Sequence, residues 1–391
     1  MPTAYIAPPM TDLAEPRWKN EEPREADHEY ALKLEELLAG FQIRAHVTRT
    51  LHGPVFTVYE FKTADPVDES RLSLLKDNLK KALSVPLVMT EAPDSDPDLL
   101  RIYVMNGRKE NVPLRDVLES EQMLSAGSLL MVPLGLDAAL VPVVCDLAKM
   151  PDLLIYGRAG SGKSTLLHSM IISFLYRAGP DEVQMILMDY RASEFLCYNG
   201  IPHLWTPVVT GLDRAAEVLA DAVEELESRL NEFEKAGARN LSDYNKQCVS
   251  TGRKPLPRIV FVIDELSILF WNRKEKTEDR MIRLIYLGWA AGIHLIASAQ
   301  GSMIEIWTNG ISKRFPGKVV FKTGSIQDSM AMCPGIETES LSIPGEMLYL
   351  PYRCRKPQRI QGCNISREEI VRVVKHVKEA NPGTQNGPAP D

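Results

Sequence analysis

Cysteine pairs are missing from this chain. Its six cysteines (Cys145, Cys197, Cys248, Cys333, Cys354 and Cys363) are scattered with no C-x-x-C spacing, which speaks against a zinc site or a disulfide framework and for reduced thiols. No apolar run reaches the roughly 18 residues that a membrane span needs. The opening stretch MPTAYIAPPMTDLAEPRWKNEEPREAD has no cationic start followed by an apolar core, so it does not read as a secretion signal. Together these absences make the cytoplasm the expected location. Basic excess is lacking too: 45 Lys and Arg stand against 52 Asp and Glu, for a net charge of -7. That excludes a uniformly basic coat protein for nucleic acid and leaves room for a local basic stripe. Internal repeats are also absent. What is present is an ordinary folded composition, 45% hydrophobic and 25% charged over 391 residues, long enough for two domains or one elaborated domain.

Residues 1–28 are rich in proline and acid and predict a loose leader. In residues 29–115, EYALKLEELLAGFQI and ESRLSLLKDNLKKALSV carry helical leucine spacing, while RAHVTRT, PVFTVYEFKT and LLRIYVMN read as strands. This predicts a small α+β domain. Residues 116–380 form the second domain, entered through LRDVLESEQMLSAGSLLMVPLGLDAALVPVVCDLAK. There DLLIYG, VQMILMD, RIVFVIDEL, IHLIASAQ and GKVVFKT are near-continuous apolar strands separated by helical stretches. That pattern predicts a parallel sheet covered on both faces. A hairpin around GEMLYLP and RIQGCNI, a closing helix from Ser366 and an unstructured tail at 381–391 complete the reading.

Gly157-Arg158-Ala159-Gly160-Ser161-Gly162-Lys163-Ser164 fits G-x-x-x-x-G-K-[ST] in full, with Thr165 next in line on the helix. A strand precedes the loop and a helix follows it, the context that a phosphate-binding loop requires. Glycines let backbone amides close on phosphate oxygens, and the helix N-terminus adds partial positive charge. Lys163 can reach the β- and γ-phosphates of ATP, and Ser164 can ligate Mg²⁺. Asp264 ends the apolar strand IVFVID, where a parallel sheet presents its ligands, and Mg²⁺ is a suitable counter-charge for it. Glu265 follows as a candidate general base. Gln300 ends IHLIASAQ and can sense the γ-phosphate or hold the water. Asp189 ends VQMILMD in the same layer, as either an outer support or a purely structural group. His168 and His294 read as packing residues, and His203 as a hydrogen-bonding loop residue.

The chain resembles the FtsK/SpoIIIE family of DNA translocases. The likeness rests on PVVCDLAKMPDLLIYGRAGSGKST, YNGIPHLWTPVVT, AGARNLSDYN, AAGIHLIASAQ, GEMLYLP and RIQG, in order and at suitable spacing. GPVFTVYEF and VPLRDVL resemble the small domain that precedes the motor in that family. The resemblance implies a RecA-like P-loop NTPase motor domain, a homo-oligomeric, hexameric ring around double-stranded DNA, and ATP hydrolysis at subunit boundaries. It also implies, as an expectation, a motor core lacking the family's membrane segment and its C-terminal winged-helix module. Several family arginines are replaced: Gly301 follows the strand-end glutamine, Lys318 precedes the last core strand, Met330 ends the Asp-Ser pair, and Trp289 stands ahead of AAGIH. Lys318 lacks the planar fork of arginine, and Arg314 or Arg280 could act across a subunit boundary from a shifted position. Basic loops supply candidate DNA contacts: Arg273, Lys274 and Lys276 in one, Lys313 and Arg314 in the other. Two alternatives stay open, a protein-translocating secretion ATPase and a hydrolysis-impaired nucleotide-binding subunit of a mixed ring.

Overall fold

The structure is a computed structural model, and it describes residues 4–18, 24–92, 96, 98–271, 277–301, 314–334, 336, 338, 341, 344–352, 354 and 356–382. The N-terminal part comprises α1 (Glu25–Gly40), β1 (Ala45–His52), β2 (Phe56–Thr63), α2 (Glu69–Leu83), β3 (Val88–Glu91) and β4 (Leu99–Met105). Ala31, Leu34 and Leu38 recur on one face of α1 and are buried, as helical spacing demands. Asp68 caps α2 by accepting the Arg71 N–H at 2.8 Å. The strands pair antiparallel in the order β1-β2-β4-β3. Leu34, Leu38, Phe61, Leu75, Leu79 and Ile102 fill a core between this sheet and its helices.

Next come β5 (Val112–Pro113), α3 (Leu114–Leu118), α4 (Glu121–Leu124), β6 (Met131–Asp137), β7 (Pro142–Asp146), β8 (Asp152–Tyr156), α5 (Lys163–Arg177) and β9 (Val183–Asp189). They are followed by α6 (Leu212–Ala236), α7 (Leu241–Ser250), β10 (Arg258–Asp264), α8 (Ser267–Trp271), α9 (Thr277–Ala291) and β11 (Ile293–Ala299). The last elements are β12 (Gly317–Phe321), α10 (Ile326–Met332), β13 (Glu346–Leu350), β14 (Gln358–Asn364) and α11 (Arg367–Ala380). Among the described residues these strands form one sheet in the order β7-β6-β14-β13-β12-β8-β11-β10-β9, with β5 beside β14.

The sheet is mixed. Strands β12, β8, β11, β10 and β9 run parallel, whereas β13, β14, β6 and β7 extend it antiparallel. The expectation of a parallel sheet therefore holds for the five strands at one end of the sheet, because antiparallel strands need no crossover helix and can be added at its edge. Alternation along β8 divides the core: Leu153 and Ile155 pack on the α5 side, and Leu154 and Tyr156 on the side of α6 and α9.

The expected loose leader departs from what is seen over residues 4–18, which lie against the large sheet's helices. Leu13 and Trp18 are buried. The Tyr5 hydroxyl donates to the Leu175 carbonyl at 2.7 Å. The Ala14 N–H donates to the Glu369 carboxylate at 2.7 Å, and the Trp18 N–H to the Asp116 carboxylate at 2.7 Å. Its anchors lie about 100 or more residues away in sequence, so local composition could not reveal them. Val112–Pro113 already pair with β14, so the large sheet takes in residues ahead of position 116. The two sheets also touch: Arg359 of β14 donates to the buried Glu346 carboxylate at 2.6 Å and lies 5.7 Å from the Phe56 ring of β2.

One buried acid gives the fold a measurable pH dependence. Asp152 opens β8 with 2% exposure and, among the described residues, accepts one hydrogen bond, from the Leu295 N–H at 3.0 Å. Burial pushes its carboxyl from 3.8 up to about 8. The folded chain thus keeps a proton that the unfolded chain releases near 3.8, so stability falls as pH rises through that window and levels off above about 8. The slope from this group is of order 1 kcal/mol per pH unit. Asp152→Asn keeps an acceptor for Leu295 without a charge, and its melting temperature should decline less than the parent's between pH 5 and 8. Parallel melting curves for the two proteins would contradict this.

Candidate nucleotide site

The loop between β8 and α5 lies where the parallel strands end. It is tied down at several backbone points: Gly157 N–H to the Ala299 carbonyl at 3.3 Å, Arg158 N–H to the Lys322 carbonyl at 2.8 Å, and Gly345 N–H to the Ser161 carbonyl at 2.8 Å. Gly162 has φ +115° and meets Gly345 closely, so a side chain there would be strained on both counts. At Gly157 a Cβ would come within 2.7 Å of the Phe321 side chain. The Lys163 ammonium is folded under the loop and donates to the carbonyls of Gly157 (2.9 Å) and Arg158 (3.0 Å). Burial lowers its pKa, while Glu265 and Asp264 pull it back up.

Opposite the loop, β10 delivers Asp264 and the chain turns sharply. Glu265 takes φ +63°, a left-handed conformation unusual for a residue with a side chain. Its carboxylate is buried and accepts from the Gln300 N–H at 3.2 Å and from the Ser267 hydroxyl. Asp264 accepts from the Ser298 hydroxyl at 3.1 Å. Burial raises the Asp264 pKa, the Ser298 hydrogen bond opposes that, and Glu194, Asp189 and Glu265 add to it. Asp264 and Asp189 are register partners on adjacent strands. Asp189 is fully buried and accepts the N–H groups of Glu194 (2.7 Å) and Phe195 (2.9 Å), which shapes the turn after β9. That turn sets Glu194 3.3 Å from His168 on α5, and the histidine holds the Glu194 carboxyl below its usual range.

These features suit a triphosphate with a divalent cation. Among the described residues the buried Ser161 hydroxyl has no hydrogen-bond partner, in a loop whose Arg158, Ala159 and Gly160 are exposed. Asp264 is a desolvated carboxylate beside further acids, which a cation would relieve. Ser164 and Thr165 open the helix and are half-buried.

The structure brings Gly157 to Thr165, Asp264, Glu265 and Gln300 together. Sequence reasoning passed over Ser298, Ser267, Glu194 and Gly345. A serine two residues before Gln300, in an otherwise apolar strand, was the available signal for the first. His203 donates from Nε2 to the Ala178 carbonyl at 2.8 Å, and burial pushes both it and His294 down to about 4, so they are neutral core residues. Arg273, Lys274, Lys276 and Lys313 lie outside the described residues. Arg314 places its guanidinium 5.0 Å from the Tyr286 ring of α9. Arg280 donates to the Ala216 carbonyl at 3.0 Å and so ties α9 to α6. Lys318 is half-buried on β12, in register with Leu154 rather than at the strand end. Trp289 and Met330 are exposed.

A strand-loop-helix phosphate cradle, facing an acidic pair at the end of a neighbouring parallel strand, defines a P-loop NTPase of RecA-like architecture. Comparison with known proteins narrows this class. Residues 113–303 match the FtsK/SpoIIIE family and residues 7–104 match the FtsK alpha domain; the chain belongs to the FtsK/SpoIIIE family. It is 40% identical over 379 residues to the DNA translocase FtsK of Caldanaerobacter subterraneus, covering 96% of this chain and 52% of that protein. It is 35% identical over 380 residues to the DNA translocase SpoIIIE of Bacillus subtilis, covering 95% and 48%. The chain thus spans about half the length of these curated relatives. Among solved structures, the pCW3 conjugation coupling protein TcpA, in a monomer form with ATPγS, aligns with a TM-score of 0.58 at 20% identity, covering 90% of this chain and 99% of that one. The cytoplasmic domain of the Thermomonospora curvata Type VII secretion ATPase EccC aligns with a TM-score of 0.56 at 22% identity, covering 63% and 31%. At such identities the likeness is one of fold. No helix among the described residues is long and apolar enough to cross a membrane.

Proposed function

We propose that the chain is an ATPase motor that moves double-stranded DNA, working as a hexameric ring of copies of itself with hydrolysis at subunit boundaries. The observation that carries this reading is an intact site (Lys163, Ser164, Asp264, Glu265) in a chain 35–40% identical over nearly its whole length to DNA translocases. MgATP, when bound, supplies the phosphoryl group whose transfer to water releases the free energy for movement. Loop amides from Gly157 to Ser164 would donate to phosphate oxygens, and the Lys163 ammonium would move from the Gly157 and Arg158 carbonyls to the same oxygens. Ser164 and Asp264 would hold Mg²⁺. Glu265 would orient the attacking water and take its proton, with Gln300 beside it. Arg314 or Lys318 would stabilise charge across the subunit boundary.

DNA would be gripped through its backbone, without base reading, by Arg273, Lys274 and Lys276 and by Lys313 and Arg314. The double substitution Lys313→Glu with Arg314→Glu tests this. Duplex affinity at low salt should fall at least about tenfold, and the slope of log affinity against log salt should flatten by about 2, with MgATP affinity unchanged. Unchanged duplex affinity in the variant would remove these contacts. A parent chain that binds no duplex, and whose turnover rises with a polypeptide instead, would replace the DNA reading with a protein-moving one.

A further inference from the structure

We infer that Ser298 is the positioning residue for the acidic pair, an assignment that rests on the ATPase reading above. Ser298 lies on β11, fully buried, beside the end of β10. It engages three consecutive residues of the neighbouring chain segment. Its hydroxyl donates to the Asp264 carboxylate at 3.1 Å and accepts the Glu265 N–H at 3.2 Å. Its carbonyl accepts the Leu266 N–H at 2.7 Å.

Glu265, between the two outer anchors, is the residue in the left-handed conformation at φ +63°. A glutamate leaves the extended or right-handed regions only when its surroundings hold it there. Ser298 supplies that hold on the backbone side, while Ser267 and the Gln300 N–H hold the carboxylate. Gln300 lies two residues beyond Ser298 on the same chain, so β11 and the residue that follows it fix both ends of Glu265. One hydroxyl therefore sets where the Asp264 oxygens point and in which direction the Glu265 side chain leaves the backbone. None of the contacts that shape the phosphate loop runs through it: those come from Ala299, Lys322 and Gly345. Ser298 acts through the acids and does not touch phosphate, so its loss should appear in the chemical step and not in nucleotide binding.

Ser298→Ala removes the hydroxyl with little change of volume and leaves the carbonyl contact to Leu266. The expected result is a kcat for ATP lowered at least about tenfold, with KM for ATP within about threefold of the parent and a melting temperature only a few degrees lower. Ser298→Thr restores the hydroxyl on a strand that accepts a β-branched residue and should recover most of the lost kcat. Should the added methyl prevent the threonine variant from folding, the kcat and KM split of the alanine variant still decides. An alanine variant as active as the parent would overturn the assignment, and so would a kcat loss accompanied by raised KM and a larger drop in melting temperature. A parent with no ATP turnover would instead overturn the ATPase reading, and the assignment with it.

Discussion

Glu265→Gln will bind MgATP as the parent does and turn it over about 10³-fold more slowly. Glu265 is 5% exposed, and its Oε1 accepts from Gln300 N–H and Ser267. Glutamine can present a carbonyl oxygen at the same place, so both donors stay satisfied and the left-handed turn survives. What it cannot do is take a proton from water. General-base assistance is worth about 10² to 10⁴ in rate, and loss of the negative charge beside Lys163 and Asp264 leaves nucleotide affinity intact or slightly higher. Titration of a fluorescent ATP analogue beside single-turnover hydrolysis separates the two effects. Turnover within threefold of the parent would take the general-base role away from Glu265.

Lys163→Ala behaves in the opposite way and loses binding first. Lys163 is 8% exposed, and its ammonium donates to two loop carbonyls within hydrogen-bond distance. It lies under the loop, where burial lowers its pKa and the neighbouring Glu265 and Asp264 oppose that shift. Charge-assisted hydrogen bonds to phosphate are worth about 1.5 to 3 kcal/mol, so ATP affinity should fall about 10- to 150-fold, and hydrolysis should drop below detection. The fold should persist, because α5 is held by Leu166, Leu167, Met170, Ile171 and Phe174, all essentially inaccessible. Circular dichroism with the same nucleotide titration checks both halves. An alanine variant that binds ATP normally would mean that phosphate is held elsewhere.

The phosphate loop and the acidic pair were legible in the sequence for different reasons. The phosphate loop shows in the sequence because its chemistry forces glycine at fixed spacing: Gly157 abuts Phe321 and Gly162 needs a positive φ. Asp264 shows because a carboxylate ending IVFVI has no hydrophobic reason to be there. Ser298 did not stand out, since a small hydroxyl residue in a buried strand satisfies itself in many ways and its partners come from a strand over 30 residues earlier. Gly345 was hidden for the same reason: its N–H anchors the Ser161 carbonyl from far downstream, and only the fold brings the two together. Of the antiparallel edge, the hairpin of GEMLYLP with RIQGCNI is legible and is seen, whereas MVPLGLD and PVVCD read as a lead-in although they pair too, with Asp137 stabilising the turn between them by accepting from the Ala139 and Val141 N–H groups at 2.9 Å. The leader misled by composition alone. Proline and acid predict looseness, yet Tyr5, Ala14 and Trp18 find partners on α5, α11 and α3 that no local window contains.

The central claim is that nucleotide gripped by this loop is cleaved to move duplex. Steady-state ATP turnover, measured with and without long linear double-stranded DNA, tests it most directly. The account predicts a several-fold rise on adding duplex that vanishes in the Lys163→Ala variant. Turnover unaltered by duplex, in a chain that also shows no affinity for it, would contradict the account.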